Sequence, residues 1–184
     1  MKSLHFMLPV VLISLCTMAF AQSDAQKSDP QASFDKLKTL SGSWLGPVTT
    51  DPPMGGEMDN KPLRVTLRVT SRGNAMMHEM KEDGAPDDPT RYDNPITMLY
   101  VDGDRLLLTH YCDAGNRPRM VGKLSPDGKK VEYAFLDVSG NTQFGHMDHA
   151  VFTIIDANHQ IEDWTYLMPG DKPMHAHFDL QRAK

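Results

Sequence analysis

Cysteine is scarce in this chain of 184 residues, which contains only Cys16 and Cys112. Cys16 lies in an N-terminal apolar stretch that we expect to be removed, so the mature chain would keep one cysteine. One cysteine cannot form an internal disulfide, even in an oxidising compartment. The fold must therefore be stabilised by burial of an apolar core rather than by cross-links.

Basic clusters, long apolar runs and repeats are also lacking. The formal net charge is −5, and lysine and arginine are scattered, so we expect no nucleic-acid partner. The longest apolar run, residues 7–21, is shorter than the ~20 residues of a membrane-spanning helix, and no later segment approaches that length. We therefore expect no membrane span in the mature protein. The sequence has no internal repeat of fixed period and no low-complexity tract.

The N-terminus has the pattern of an export signal. Lys2 provides a positive start, residues 7–21 are almost wholly apolar, and the small residues Ala19 and Ala21 suit signal peptidase. We predict a signal peptide over residues 1–21, a flexible polar leader over 22–32 and a single domain over 33–184. The protein is then expected in the periplasm or outside the cell.

The rest of the chain shows the alternation of β-strands. In residues 62–70, Leu63, Val65, Leu67 and Val69 fall on one face and polar side chains on the other. Comparable patterns predict strands that begin at residue 44 and that cover 62–70, 75–81, 95–101, 105–112, 118–124, 130–137, 146–155, 160–168 and 173–182. Ten consecutive strands with hairpin-length connections predict an all-β, up-and-down antiparallel barrel, because closure leaves no exposed sheet edge. A β-sandwich is the competitor, but it usually needs longer crossing connections.

Successive connections of such a barrel alternate between its two ends. The tight turns meet at one end, and a short helix over residues 33–40, which Ser33 can cap, would plug that end. The long loops meet at the other end, which we call the mouth. They are residues 51–61, 82–94, 113–117, 139–145 and 169–172.

Polar side chains gather in a stretch that the strand pattern places at the mouth. They are His110, Tyr111, Cys112, Asn116 and Arg119. His110 and Cys112 are two residues apart on the more apolar face of their strand, so we predict that both point inward and that Tyr111 points outward. The direction of Arg119 stays open, because a proline precedes it and can reset the alternation.

Further histidines fall near the same end. His78 lies in the upper half of its strand, and alternation predicts an inward position for His149. His175 and His177 share the face opposite to the apolar residues of the last strand, so we expect them to face solvent. His159 alone falls at the closed end.

The predicted interior is rich in flexible and aromatic side chains, which line adaptable pockets as well as ordinary cores. They are Met76 or Met77, Met98, Met120, Tyr133, Phe135, Met147, and Trp164 or its neighbours. A barrel of ten strands is wide enough that side chains alone need not fill it. That width favours a cavity.

The pattern Leu40-x-Gly42-x-Trp44 after a short helix, together with Arg182 in the last strand, resembles the lipocalin-like (calycin) barrels. The resemblance implies that Trp44 packs under Arg182 near the closed end, as a cation–π contact. Residues 108–120, LTHYCDAGNRPRM, are similar to a stretch in uncharacterised exported bacterial proteins of this barrel type. The resemblance implies a fold and no chemistry.

Three classes of function follow from these residues. The leading hypothesis is an exported barrel that binds a small, largely apolar molecule through the mouth. His110, Tyr111, Cys112, Asn116, Arg119 and His149 would supply its polar contacts.

The second class is a haem or metal site on an inward histidine, for which His110, His149 and His78 are candidates. The third is an enzyme with His110 as acid or base, or with Cys112 as nucleophile. The sequence identifies neither a cofactor nor an oligomeric state.

Overall fold

One helix and ten strands form the fold. The computed structural model describes residues 29–54, 62–88, 90–91 and 94–184. The elements are α1 (Pro30–Lys38), β1 (Gly42–Asp51), β2 (Pro62–Thr70), β3 (Ala75–Glu82), β4 (Ile96–Asp102), β5 (Arg105–Tyr111), β6 (Asn116–Leu124), β7 (Lys130–Gly140), β8 (His146–Ile154), β9 (His159–Met168) and β10 (Lys172–Arg182). The predicted signal peptide and most of the predicted leader lie outside the described residues, as do parts of the 51–61 and 82–94 loops.

The strands form a closed antiparallel barrel in which each pairs with its neighbours along the chain. The first and last strands complete the circle, with Trp44 of β1 opposite Arg182 of β10 and Val48 opposite Phe178. The predicted all-β, up-and-down barrel of ten strands is thus confirmed. Alternate side chains fill its interior, as Val65 and Leu67 of β2 do.

Helix α1 begins three residues earlier than its apolar pattern predicted. The Asp29 side chain, rather than Ser33, caps it by accepting the backbone N–H of Gln31. Ser33 lies inside the helix, buried, and its hydroxyl donates to the Asp29 carbonyl. Phe34 and Leu37 are buried, and the helix packs on β4, β5 and β6. The helix therefore plugs the closed end of the barrel as predicted.

Trp44 and Arg182 tie the plug to the closing seam. The Arg182 guanidinium lies 4.2 Å from the centre of the Trp44 ring, so the contact implied by the resemblance is present. The Trp44 indole donates to the Leu40 carbonyl at 2.8 Å. Arg182 donates to the carbonyls of Ser41 and Ala157, each at 2.8 Å. One guanidinium thus joins the helix connection, β1, β10 and a closed-end turn.

We expect the variant Arg182→Ala to lose about 2 kcal/mol of unfolding free energy, the sum of one cation–π contact and its backbone hydrogen bonds. Urea denaturation followed by circular dichroism measures the change. Arg117→Ala is the matched control, because Arg117 is exposed on the outer wall. An Arg182→Ala midpoint equal to that of the control would contradict this role.

The barrel wall is incomplete between β7 and β8 near the mouth. Their pairing ends at Ala134 opposite His149, although β7 continues to Gly140 and β8 begins at His146. Close to this point, the pairing of β7 with β6 and the pairing of β8 with β9 each contain a register shift. Phe135 shares the inward face of β7 with Tyr133, yet it is 40 % exposed and stacks on the His146 ring at 4.8 Å. A side chain directed inward is thus reachable from outside here.

Candidate functional site

A band of polar side chains crosses the barrel interior below the mouth. His78, Thr97 and His110 stand opposite one another on β3, β4 and β5, and β9 contributes Glu162 and Trp164. We call these five residues the polar layer. All five are buried. Polar groups inside a barrel must find partners in one another or in a ligand, because burial removes their water.

Glu162 lies at the centre of the polar layer and is completely buried. Its Oε2 accepts the Trp164 indole N–H at 3.1 Å and lies 2.8 Å from Nε2 of His78. Its Oε1 accepts an amide N–H of Gln160 at 3.2 Å. Indole and amide nitrogens only donate, so both carboxylate oxygens are set up as acceptors.

His78 is held by Glu162 through one ring nitrogen, and its other nitrogen is unpaired. Nδ1 is buried and has no hydrogen-bond partner among the described residues. The ring lies edge-on to Phe152, with centroids 5.7 Å apart, and 5.6 Å from the Trp164 ring. A buried carboxylate that fixes one imidazole nitrogen leaves the other available to bind a further group.

His110 on β5, two strands away from His78 on β3, has a similar arrangement. Its Nδ1 lies 2.8 Å from the Thr97 hydroxyl, and its ring is 5.8 Å from that of Trp164. Burial, and to a smaller extent the nearby charge of His78, lowers the pKa of His110 from its usual 6.5 to about 4. The imidazole is therefore neutral at physiological pH. The structure gives Nε2 no partner in the part of the chain that it describes.

Besides Nδ1 of His78, five buried side-chain oxygens lack partners among the described residues. They are those of Ser41, Asn94, Asn116, Tyr133 and Gln160. Burial raises the pKa of Tyr133 well above its usual 10, so this hydroxyl stays protonated. Unpaired buried polar atoms cost about 1–3 kcal/mol each. The interior thus has several hydrogen-bonding positions that a ligand or solvent molecule would satisfy.

Asn116 belongs to the predicted ligand contacts, and the structure gives its amide nitrogen two backbone partners while its Oδ1 has none among the described residues. The side chain is buried, and its Nδ2 donates to the carbonyls of Asn141 at 2.8 Å and Gly145 at 2.7 Å. Both amide hydrogens are therefore occupied. Asn116 fastens the 141–145 loop to the start of β6.

We expect Asn116→Ala to lower the unfolding free energy by about 2 kcal/mol, because the buried Gly145 carbonyl and the partly buried contact to the Asn141 carbonyl lose their donor. Thermal and urea denaturation measure the loss. Asn158→Ala, at an exposed position of a closed-end turn, serves as the control. A loss no larger than that of Asn158→Ala would show that the loop is held by other contacts.

The other residues of the predicted mouth stretch point in different directions. Tyr111 is exposed at 48 %, which agrees with its predicted outward position. Sγ of Cys112 is partly buried and lies 3.5 Å from Oδ1 of Asp113. Arg119, whose direction was open, faces outward and donates through Nε to Asp137 at 2.8 Å. The described contacts thus place no guanidinium in the interior and do not pair Cys112 with His110.

Two predicted inward positions are wrong. His149 lies on the outer wall with its Nε2 3.0 Å from Glu132, because Ala150 and Phe152 occupy the buried face of β8, whereas His149 alternates with Val151 and Thr153 on the other face. Met98 also faces outward. Thr97 points inward, where it contacts His110, so its neighbour Met98 lies on the opposite face of β4. The outward prediction for His175 and His177 is confirmed: their Nδ1 atoms contact Thr165 and Asp163 on the outside of β9.

Glu162, Gln160 and Thr97 were not among the predicted site residues. Strict alternation along β9 places Gln160 and Glu162 on the same face as Trp164. Taking that face as the inward one would have meant burying two polar side chains and leaving Ile161 on the outer face. In the described ranges, no group of three or more His, Cys, Asp or Glu side chains is placed to hold a metal ion.

The comparisons with known proteins support the fold. No family model matches the chain, and no curated protein matches it significantly. The crystal structure of Rv2717c from M. tuberculosis is similar with a TM-score of 0.56 at 15% identity, over 83% of this chain and 98% of that one.

A protein of unknown function from the DUF3598 family of Nostoc punctiforme is similar with a TM-score of 0.41 at 11% identity. The matched part covers 80% of this chain and 48% of that protein. At these identities the likeness concerns the barrel alone, and the lipocalin-like relationship stays a prediction. None of the helices in the described part is long and apolar enough to cross a membrane.

Proposed function

We propose that the protein is an exported barrel that binds a small, largely apolar molecule through its mouth, with His110 as the polar contact at the inner end. The observation that carries the proposal is the neutral, buried His110 with an unpaired Nε2, directly below a mouth rich in exposed apolar side chains. Such a site combines apolar area with one oriented polar group, as ligand pockets do.

The apolar side chains concentrate at one end of the barrel. Met54, Tyr111, Phe144 and Met168 are exposed and lie on mouth loops or at the mouth ends of strands. We call these four residues the collar. Phe135 adds an exposed ring in the gap between β7 and β8. Large apolar side chains exposed together mark places where apolar partners bind.

Fluorescence of the two tryptophans gives a test that separates the two ends. Trp164 lies in the polar layer and Trp44 at the closed end, so the variant Trp44→Phe reports on Trp164 alone. The neutral apolar probe N-phenyl-1-naphthylamine should bind saturably and quench Trp164. His110→Leu should weaken its binding about tenfold, the effect of one lost hydrogen bond. His159→Leu, at the closed end, should leave it unchanged.

Native mass spectrometry of the purified full chain complements the titration, because it detects a co-purifying small molecule. It also reads the N-terminus, which should be Gln22 if residues 1–21 are a cleaved export signal. Unsaturable probe binding combined with the absence of any bound molecule would overturn the binding proposal. An intact N-terminus in the native host would overturn export by cleavage.

A haem or metal site on His110 is the second candidate. A neutral imidazole whose Nδ1 is oriented by a hydroxyl and whose Nε2 is unpaired is the form in which histidine binds a metal. Absorbance and metal analysis of the native protein decide this case. The absence of a Soret band and of stoichiometric metal would overturn it.

A further inference from the structure

We propose that the molecule bound by the polar layer carries a neutral hydroxyl head group, as in an apolar alcohol or phenol, and that carboxylates such as fatty acids are rejected. This inference rests on the proposed binding function and names its ligand class. Its basis is the charge and the hydrogen-bonding capacity of the interior.

The interior has a buried carboxylate and no buried counter-charge for an anion. Among the described residues, the buried polar and charged side chains are Ser33, His78, Thr97, His110, Asn116, Gln160 and Glu162. None is a lysine or an arginine. Both arginines of the mouth stretch face outward: Arg117 is exposed, and Arg119 donates to Asp137 on the outer wall. A desolvated ligand carboxylate needs a paired cation, and an unpaired one is strongly disfavoured.

The same conclusion holds for either charge state of His78. If the imidazole is neutral beside an ionised Glu162, the pair carries a net negative charge that repels an anion. If it is protonated, its charge is already neutralised by Glu162 at 2.8 Å. Neither state leaves a net positive charge in the polar layer. An anionic head group would therefore enter a neutral or negative, water-poor site.

A hydroxyl group matches the unpaired atoms of the interior. Oε1 of Gln160 can only accept, and it has no donor among the described residues. Neutral His110 has one donor and one acceptor nitrogen, and Thr97 engages one of them. A hydroxyl both donates and accepts, so it can pair with Nε2 of His110 in either tautomer. Ketones and ethers, which only accept, fit one tautomer alone.

A matched set of ligands tests head-group charge with the body of the molecule held constant. Trp44→Phe protein is titrated at neutral pH with 4-butylphenol, 4-butylbenzamide and 4-butylbenzoate, and quenching of Trp164 is followed. We expect 4-butylphenol to bind at least about tenfold more tightly than 4-butylbenzoate, because the carboxylate loses its hydration without gaining a cation. 4-Butylbenzamide, a neutral near-isostere of the benzoate, should bind closer to the phenol.

The outcomes separate the two proposals. Benzoate binding as tight as phenol binding overturns the hydroxyl proposal and leaves the binding function standing. If 4-butylbenzamide binds as weakly as 4-butylbenzoate, the preference for the phenol comes from head-group shape. That result would overturn the charge argument. Failure of all three ligands and of N-phenyl-1-naphthylamine, with no co-purifying molecule, overturns both proposals.

Glu162→Gln tests the source of the selectivity. It removes the negative charge or leaves His78 without its counter-ion, and both effects favour an anion. We expect the preference for phenol over benzoate to fall at least threefold. Glu132→Gln makes the same charge change on the outer wall, where Glu132 contacts His149, and should leave the preference intact. If Glu162→Gln folds and prefers phenol over benzoate as strongly as Glu132→Gln does, Glu162 is not the source of the selectivity. If Glu162→Gln does not fold, the ligand series with the otherwise wild-type chain decides the proposal.

Discussion

Replacing Glu162 by leucine should lower the unfolding free energy by about 3–5 kcal/mol, the usual cost of removing one partner of a buried ion pair. The loss arises because His78, Trp164 and Gln160 all direct nitrogens at the Glu162 carboxylate. Each would be left in the core without an acceptor. Urea denaturation at neutral pH measures this change, with Glu132→Leu on the outer wall as the control.

The double variant His78→Leu/Glu162→Leu should be more stable than the sum of the two single losses predicts. Removing both partners eliminates the uncompensated charge, and leucines fill part of the volume. The Trp164 indole still lacks its acceptor, so we do not expect full recovery. Strictly additive losses would mean that His78 and Glu162 are not energetically coupled in the native protein.

Acidification should destabilise the protein through His110. Its pKa is about 4 in the folded state against 6.5 in the unfolded chain. The unfolded state therefore binds more protons between these values, and stability falls as the pH drops from 6.5 to 4. A difference of this size corresponds to about 3 kcal/mol lost across the window, with no contribution above it.

The variant His110→Asn removes this titration while keeping a polar side chain next to Thr97. Unfolding free energies of the wild type and the variant are measured by urea denaturation between about pH 8 and pH 4. The wild-type curve should fall more steeply below pH 6.5 than the variant curve. Parallel curves would show that His110 is not held neutral by the fold.

The barrel could be predicted because its signals are local. Residues 62–70 alternate over a full strand, and turns such as 125–129 are short enough to join adjacent antiparallel strands. Counting connections from these strands placed His110 at the mouth and the helix at the closed end. Each step used residues close together in the chain.

The polar layer could not be predicted in the same way, because its contacts cross the barrel. His78 and Glu162 are 84 residues apart, and no spacing rule connects them. The orientation of His149 failed for another reason. Both faces of β8 carry apolar residues, with Val151 on one face and Ala150, Phe152 and Ile154 on the other, so the sequence does not show which face is buried. Alternation groups residues by face, and it identifies the buried face only where the opposite face is polar.

The seam between β1 and β10 also determines when the protein can complete its folding. Arg182 hydrogen-bonds Ser41, which lies 141 residues earlier, so the circle closes only when nearly the whole chain is available. Forming one pairing of such long sequence separation slows the last step of folding, because closing a long loop costs conformational entropy. Until then β1 and β10 have unpaired edges that favour association between chains. A nascent chain that stops short of β10 is therefore expected to aggregate rather than to populate a smaller barrel.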